Sequence, residues 1–318
     1  MKVFFDNKAD YELGPINSLN FKKLETAKNN LMFYYGINSG YHCQRPSGFK
    51  NNVYFETEEP NGFIPEGKMP HERGWVPGGP KGNWDLNFWT KIINICPYTA
   101  EWENKVYKTD KFTNYVYPFD KNLLLNDFNK EYDVIYVGGL HGRHGIFHNI
   151  IDCIKNYNYK FISLWNYPTV TDYNVSLEIK MRIWAKSKIT VCSNLLSENN
   201  PGLFYHQVKK LPQWEENKAF SHIKEGIMPQ MKPRITDAAV SKSLILILKD
   251  PWNVIETWFK PNTHFIYFDS FEELPKKIDW CLNNWNHCEK IINNMFEEYM
   301  EKYTIEKFYE NKLKEFDI

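Results

Sequence analysis

Beyond residue 130 the chain repeats one pattern: a short continuous apolar run, a turn, an amphipathic stretch, then another apolar run. The runs read YDVIYVGG, YKFISLWN, KITVCSNL, LILILKD and HFIYFD. Between and after them come GIFHNIIDCIKNYN, SLEIKMRIWAKS, KPRITDAAVSKS and SFEELPKKIDWCLNNW, each with helical character. A strand that is apolar at every position has no solvent face. That is what a parallel sheet covered by helices on both sides requires, whereas a sheet open on one side would alternate. The pattern predicts a doubly wound α/β domain. NVIETWF reads as a further short helix, and the tail HCEKIINNMFEEYMEKYTIEKFYENKLKEFDI as two amphipathic helices, the last able to pack back on the first half of the chain.

The first half reads differently. NNVYFETEEPNGF is a strand running into an acidic turn, and TKIINICPYTAEWENKVY a buried strand followed by a short helix. IPEGKMPHERGWVPGGPKGNWDLNFW carries too much Pro and Gly for regular structure, and loops of that length inside a compact domain are usually functional or mobile. YVYPFDKNLLLNDFNKEYD is polar and Pro-containing, as an inter-domain crossing would be. The domain boundaries that follow are 1–125 for an N-terminal α/β domain, joined by a C-terminal helix at 303–318, and 130–302 for the second domain.

Composition excludes some classes of function. Lys+Arg and Asp+Glu balance at 39 each, so no global charge draws the chain to nucleic acid or an anionic membrane. Six scattered cysteines (Cys43, Cys96, Cys153, Cys192, Cys281, Cys288) make neither a CxxC pair nor a disulfide framework, and in apolar runs they act as small hydrophobes. No uncharged stretch approaches the ~20 residues of a membrane span, and MKVFFDNKAD lacks the apolar core of a signal peptide. A cytoplasmic setting is expected.

In DVIYVGGLHGRHGIFHN, residues 133–149, glycines sit where a strand ends and a helix begins, a natural place for phosphate. Gly138, Gly139, Gly142 and Gly145 do not form GxGxxG, and no ribose-binding acid follows at the required distance. A metal site would need His141, His144 and His148 to converge, with Asp152 as the best fourth ligand. An ordinary tight turn is the remaining alternative. The favoured reading is a phosphate-facing loop with His141 and Arg143 as donors, and no metal.

The second constellation lies in MKPRITDAAVSKSLILILKDPWNVIETWF. Pro233 suits a first helical turn. Lys232 and Arg234 stand beside it, with Asp237 one turn along and Glu256 early in the next helix. Arg as a bidentate fork and Lys as a point charge can hold a diphosphate, and the carboxylates are placed for ribose or sugar hydroxyls. The alternative is a surface pair between Arg234 and Asp237 at i,i+3.

The order of KPRITDAAVSKSLILIL, ETWFKPN, HFIYFD and SFEEL, with KITVCSNLL upstream and YTIEKFYENKL at the end, resembles group 1-type glycosyltransferases of the GT-B fold, particularly the CgeB-like branch. The resemblance covers roughly residues 130–315. Asp237 stands where that family usually has Glu, Lys242 and Asn262 where it has Gly, and His264 near a position often acidic. The resemblance implies two Rossmann-like domains facing a central cleft, with the C-terminal helix packing back on the N-terminal domain. It further implies a hexosyl- or pentosyltransferase that takes a UDP- or GDP-sugar, requires no cofactor or metal, and acts on a carbohydrate-type hydroxyl acceptor.

On that reading Gly139, His141, Gly142, Arg143, Lys232 and Arg234 meet the donor diphosphate, and Asp237 and Glu256 its ribose or sugar. The base that deprotonates the acceptor is sought among Glu56, Glu58, Glu59, His71 and Asp85, each equally readable as an exposed polar residue. Trp75, Trp84 and Trp89 are candidates for stacking or for core. Two other readings compete: a phage-type DNA glycosyltransferase acting on a hydroxylated base, disfavoured by the even spread of Lys and Arg, and a non-catalytic GT-B-like nucleotide-binding module.

Overall fold

The computed structural model describes residues 2–6, 31–36, 51–56, 86–87, 89–140, 146–197 and 227–316. Two parallel sheets organise them. The first contains β1 (Lys2–Asp6), β2 (Leu31–Gly36), β3 (Asn51–Glu56), β4 (Lys91–Asn94) and β5 (Phe112–Asn114), in the order β1-β2-β3-β4-β5. Helix α1 (Pro97–Tyr107) joins β4 to β5, with proline in its first turn and Lys108 in a left-handed cap at φ 51°. Proline is tolerated there because a first-turn N–H has no helical partner anyway. Trp89 is core: its ring lies 5.3 Å from that of buried Tyr54. Trp75, Trp84, Glu58, Glu59, His71 and Asp85 lie outside the described residues.

The second sheet holds β6 (Tyr132–Val137), β7 (Tyr159–Ser163), β8 (Asp172–Tyr173), β9 (Ser187–Ser193), β12 (Leu244–Leu248) and β13 (Ile266–Phe268). Between β9 and β12, β10 (Leu195–Ser197) and β11 (Ile227–Pro229) make a small antiparallel pair. The second sheet runs β13-β12-β9-β6-β7-β8, every pairing parallel. Its apolar runs are sandwiched as expected; all five residues of β12 are buried. The covering helices are α2 (Ile146–Ile154), α3 (Leu177–Ala185), α4 (Arg234–Val240), α5 (Leu274–Asn283) and α6 (Trp285–Lys302). Four cysteines, Cys96, Cys192, Cys281 and Cys288, are buried as free thiols.

One expected helix is reduced. NVIETWF forms a single 3-10 turn, Val254–Thr257, because buried Asp250 accepts from the N–H groups of Trp252 (2.9 Å) and Val254 (3.2 Å). The β-branched residues Val254, Ile255 and Thr257 do little to extend it. The two-residue strand β8 and the β10–β11 pair lack any sequence signal that anticipates them.

Buried polar stitches hold the layers. Trp184 Nε1 donates to Thr190 Oγ1 (2.7 Å), which in turn bonds Ser243 Oγ (2.7 Å). Lys130 Nζ donates to the carbonyls of Ala185 (2.8 Å), Ser187 (3.0 Å) and Ser241 (3.3 Å), closing off the lower ends of α3 and α4. Carbonyls at a helix C-terminus lack helical partners, and a lysine there satisfies them.

The chain end returns to the first sheet. Phe119 and the segment before α7 (Ile305–Asn311) form a bridge, with Phe119 N–H to the Tyr303 carbonyl at 2.9 Å and Ile305 N–H to the Phe119 carbonyl at 3.0 Å. Phe308 then packs its ring 5.6 Å from Phe55 of β3 and 4.9 Å from Tyr115. Lys312 Nζ reaches Thr113 Oγ1 of β5 at 2.6 Å. Phe308 is fully buried, so Phe308→Ala should lower the unfolding free energy by about 3–5 kcal/mol, seen as a drop in the urea midpoint. An unchanged midpoint would mean that this helix does not hold the fold together.

Candidate functional site

Strand order decides where a site can form. The first sheet proceeds without reversal from β1 to β5. In the second, the chain leaves β6 for β7 and β8, then returns to add β9 on the opposite side. Connections diverge at the C-terminal ends of β6 and β9, and the crevice they leave is where open α/β sheets bind ligands.

Gly138 follows β6 with φ +145°, a region that side chains rarely adopt. A Cβ there would stand 2.6 Å from Arg234 Nη2. Only glycine lets the guanidinium lie against this backbone. Arg234 opens α4, and its guanidinium sits 5.4 Å from the Tyr136 ring centroid. The Tyr136 hydroxyl donates to the Gly139 carbonyl (2.9 Å), which fixes the bend after β6. Burial raises the Tyr136 pKa, and the Arg234 charge opposes that rise.

Asp237, one turn into α4, is 1% exposed and pairs with Lys180 of α3 at 3.2 Å. Its partner is thus Lys180, and the i,i+3 surface pair with Arg234 is not formed. Burial pushes the Asp237 carboxyl up, while Lys180 and then Arg234 pull it down. Among the described residues Asp237 Oδ1 has no hydrogen-bond partner. Lys180 also lies 5.8 Å from the Trp184 ring centroid. At the end of β9, Asn194 Oδ1 accepts from the Lys232 N–H (3.2 Å), and the Lys232 ammonium bonds the Gln230 side chain. Ser193 Oγ and Asn194 Nδ2 are buried without partners among the described residues.

A cavity of about 220 Å³ lies between these elements, lined by Gly138, Gly139, Lys180, Arg234 and Asp237 on one side and by Leu164 and Trp165 among its apolar walls. Of the expected donor residues, Gly139, Arg234 and Asp237 therefore meet, with Lys232 two residues before Arg234. His141, Gly142, Arg143 and His144 lie outside the described residues. Glu256 does not line the cavity; it is exposed on the 3-10 turn after β12, where its charge raises the Tyr267 pKa further after burial. Glu56 ends β3, and nothing of its side chain is described. Among the described residues no cluster of His, Cys, Asp and Glu could hold a metal ion.

Lys180, Trp165 and Leu164 escaped the sequence reading. Lys180 looks like any solvated lysine of an amphipathic helix, and only the packing of α3 on α4 brings it to Asp237.

Two predictions follow from these charges. Lys180→Met leaves the Asp237 carboxylate buried without its ion-pair partner, which should cost about 3–5 kcal/mol; Lys180→Met with Asp237→Leu should regain most of it in chemical denaturation. If the single variant is as stable as the parent, the pair is not a buried charge partnership. Asp250, 2% exposed, is pushed up to about 6 by burial against its backbone donors. Between its unfolded value and about 6 the folded state holds a proton that the unfolded chain has lost, so stability falls as pH rises, by up to about 1.4 kcal/mol per pH unit. Asp250→Asn should flatten that slope in urea titrations between pH 4 and 6, and an unchanged slope would rule the group out.

No family model matches the chain, and no curated protein does. Solved structures match its fold. The crystal structure of TarM superposes with a TM-score of 0.54 at 10% identity, covering 93% of this chain and 57% of that one. Sucrose-phosphate synthase from Thermosynechococcus elongatus gives 0.54 at 9%, covering 95% and 77%. Anabaena Alr3699/HepE, crystallised in complex with UDP, gives 0.51 at 9%, covering 92% and 80%. The chain spans less than two thirds of the length of TarM. No helix among the described residues is long and apolar enough to cross a membrane. The chain has the parallel-sheet α/β fold of GT-B glycosyltransferase structures.

Proposed function

We propose that this chain is a glycosyltransferase that moves a hexosyl or pentosyl unit from a UDP- or GDP-sugar to a hydroxyl of a glycan, glycoprotein or lipid-linked saccharide, and that it belongs to the CgeB-like branch. The observation that carries the reading is the Arg234 guanidinium, held against bare Gly138 backbone in the crevice where β6 and β9 diverge. HepE, a neighbour in fold, was crystallised with UDP, which makes UDP the first nucleotide to test.

The donor side is residues 130–302, and the acceptor side is residues 1–125 with the returning helix of 303–318. As the anomeric C–O bond breaks, negative charge develops on the leaving diphosphate. Arg234, with Lys232 beside it, supplies fixed positive charge where that develops, in a site that needs no reorganisation. Arg143 and His141, which follow β6 in the sequence, are assigned to the same diphosphate. The acceptor oxygen attacks the anomeric carbon and its proton passes to a carboxylate or imidazole of the acceptor side, sought among Glu56, Glu58, His71 and Asp85. Asp237 and Glu256 are assigned to ribose or sugar hydroxyls.

A ligand that binds only the folded state raises apparent stability. Thermal unfolding should shift upward by several degrees with saturating UDP or GDP, and Arg234→Ala should abolish the shift. Mass-spectrometric detection of sugar transfer then separates an enzyme from a binding module. Absence of a shift with either nucleotide would overturn the proposal.

A further inference from the structure

Helix α5 ends at Asn283 and α6 starts at Trp285, so a single residue, Asn284, makes the corner between them. Its N–H is shared between the carbonyls of Trp280 (2.9 Å) and Cys281 (3.3 Å), and its own carbonyl accepts from the Cys288 N–H (3.2 Å). The last turn of α5 and the first turn of α6 therefore meet with one cysteine on each. Cys288 Sγ donates to the Cys281 carbonyl at 3.6 Å, and both side chains are fully buried. Neither residue lines the crevice that holds Arg234.

The two thiols are unequal. A hydrogen bond between them pushes the Cys281 thiol well above its ordinary range, and burial adds to that. The same bond holds the Cys288 thiol below its ordinary range, against the effect of burial. The helix ends act in the same direction: the positive end of α6 favours a thiolate at Cys288, and the negative end of α5 disfavours one at Cys281. A thiol that is merely buried behaves otherwise, as Cys192 of β9 shows, pushed up to about 12 chiefly by burial. Small hydrophobes need only apolar neighbours; these two sulfurs are placed against each other.

We propose that Cys281 and Cys288 form a reversible dithiol–disulfide site, oxidised by small disulfides, with Cys288 as the attacking sulfur and Cys281 as the resolving one. The Cys288 thiolate attacks one sulfur of a small disulfide RSSR and expels RS⁻, leaving a mixed disulfide on Cys288. Cys281 then loses its proton and attacks Cys288 Sγ, expelling the second RS⁻. The protons lost by the two cysteines end on the two RS⁻ groups. Two protein thiols are thereby oxidised to one S–S bond while RSSR is reduced to two RSH. Attack requires the corner to open, and a helix end opens at lower cost than the whole fold. No side-chain cap holds the first turn of α6. The site is independent of the donor reading above.

Trypsin cuts after Lys277 and Lys290, so residues 278–290 form one peptide that carries Cys281 and Cys288 and no other cysteine. The folded chain is treated with bis(2-hydroxyethyl) disulfide, trapped with N-ethylmaleimide, digested and weighed by mass spectrometry. In the parent this peptide should emerge unalkylated and two hydrogens lighter than the dithiol, and dithiothreitol should restore both alkylation sites. Cys281→Ala should instead carry one hydroxyethylthio group on Cys288, and Cys288→Ala should react about tenfold more slowly or less. The oxidised parent should melt a few degrees above the reduced one, because a bridge restricts the unfolded chain. A parent peptide that stays fully alkylated would overturn the site, as would an oxidised form that melts below the reduced one. Faster capture by Cys281 in Cys288→Ala than by Cys288 in Cys281→Ala would overturn the order of attack.

Discussion

A parallel sheet must hide both of its faces, and the rest of this structure depends on that requirement. Each strand of the second sheet is flanked by crossovers, and the fully apolar β12 can exist only beneath helices on both sides. Because the chain adds β7 and β8 on one side of β6 and β9, β12 and β13 on the other, successive connections part above β6 and β9. Among the described residues Gly138, Gly139 and Asn194 stand at that parting. The first sheet, added strand by strand in one direction, has no such parting among its described strands.

Charge is laid out around that crevice in two ways. Lys180 and Asp237 neutralise each other below it, buried where a lone charge would be expensive. Arg234 lies between the Tyr136 ring and the Gly138 backbone, and its charge acts on both the Tyr136 hydroxyl and the Asp237 carboxylate.

The two sheets are tied by the chain that links them and by its end. Tyr299 of α6 bonds Thr236 of α4 (2.6 Å) and the Tyr117 carbonyl, Tyr115 reaches the Lys302 carbonyl (2.9 Å), and Tyr98 of α1 reaches the Trp252 carbonyl (2.7 Å). Tyr115 and Tyr299 bury their rings and Tyr98 half-buries its own, and each spends its hydroxyl on a backbone carbonyl, a use that suits a chain rich in aromatics. The same helix α4 that carries Arg234 is therefore anchored, through Thr236 and Tyr299, to the segment leaving the first sheet.

By itself the sequence determined the fold class and most elements of the second half. Apolar runs such as LILIL and KITVC report burial on both faces through local composition alone, and SLEIKMRIWAKS carries its own capping serine, whose Oγ accepts from the Ile179 N–H. It also marked Gly139, Arg234 and Asp237, because glycine after a strand and charge beside a proline are local signals. Strand order, the pairing of Asp237 with Lys180 across 57 residues, and the exposed Trp165 beside them were decided only by tertiary structure. The reason is physical: a lysine on a helix and a tryptophan after a strand look alike in sequence whether they face water, core or ligand. Only the packing of α3 against α4 chooses among the three.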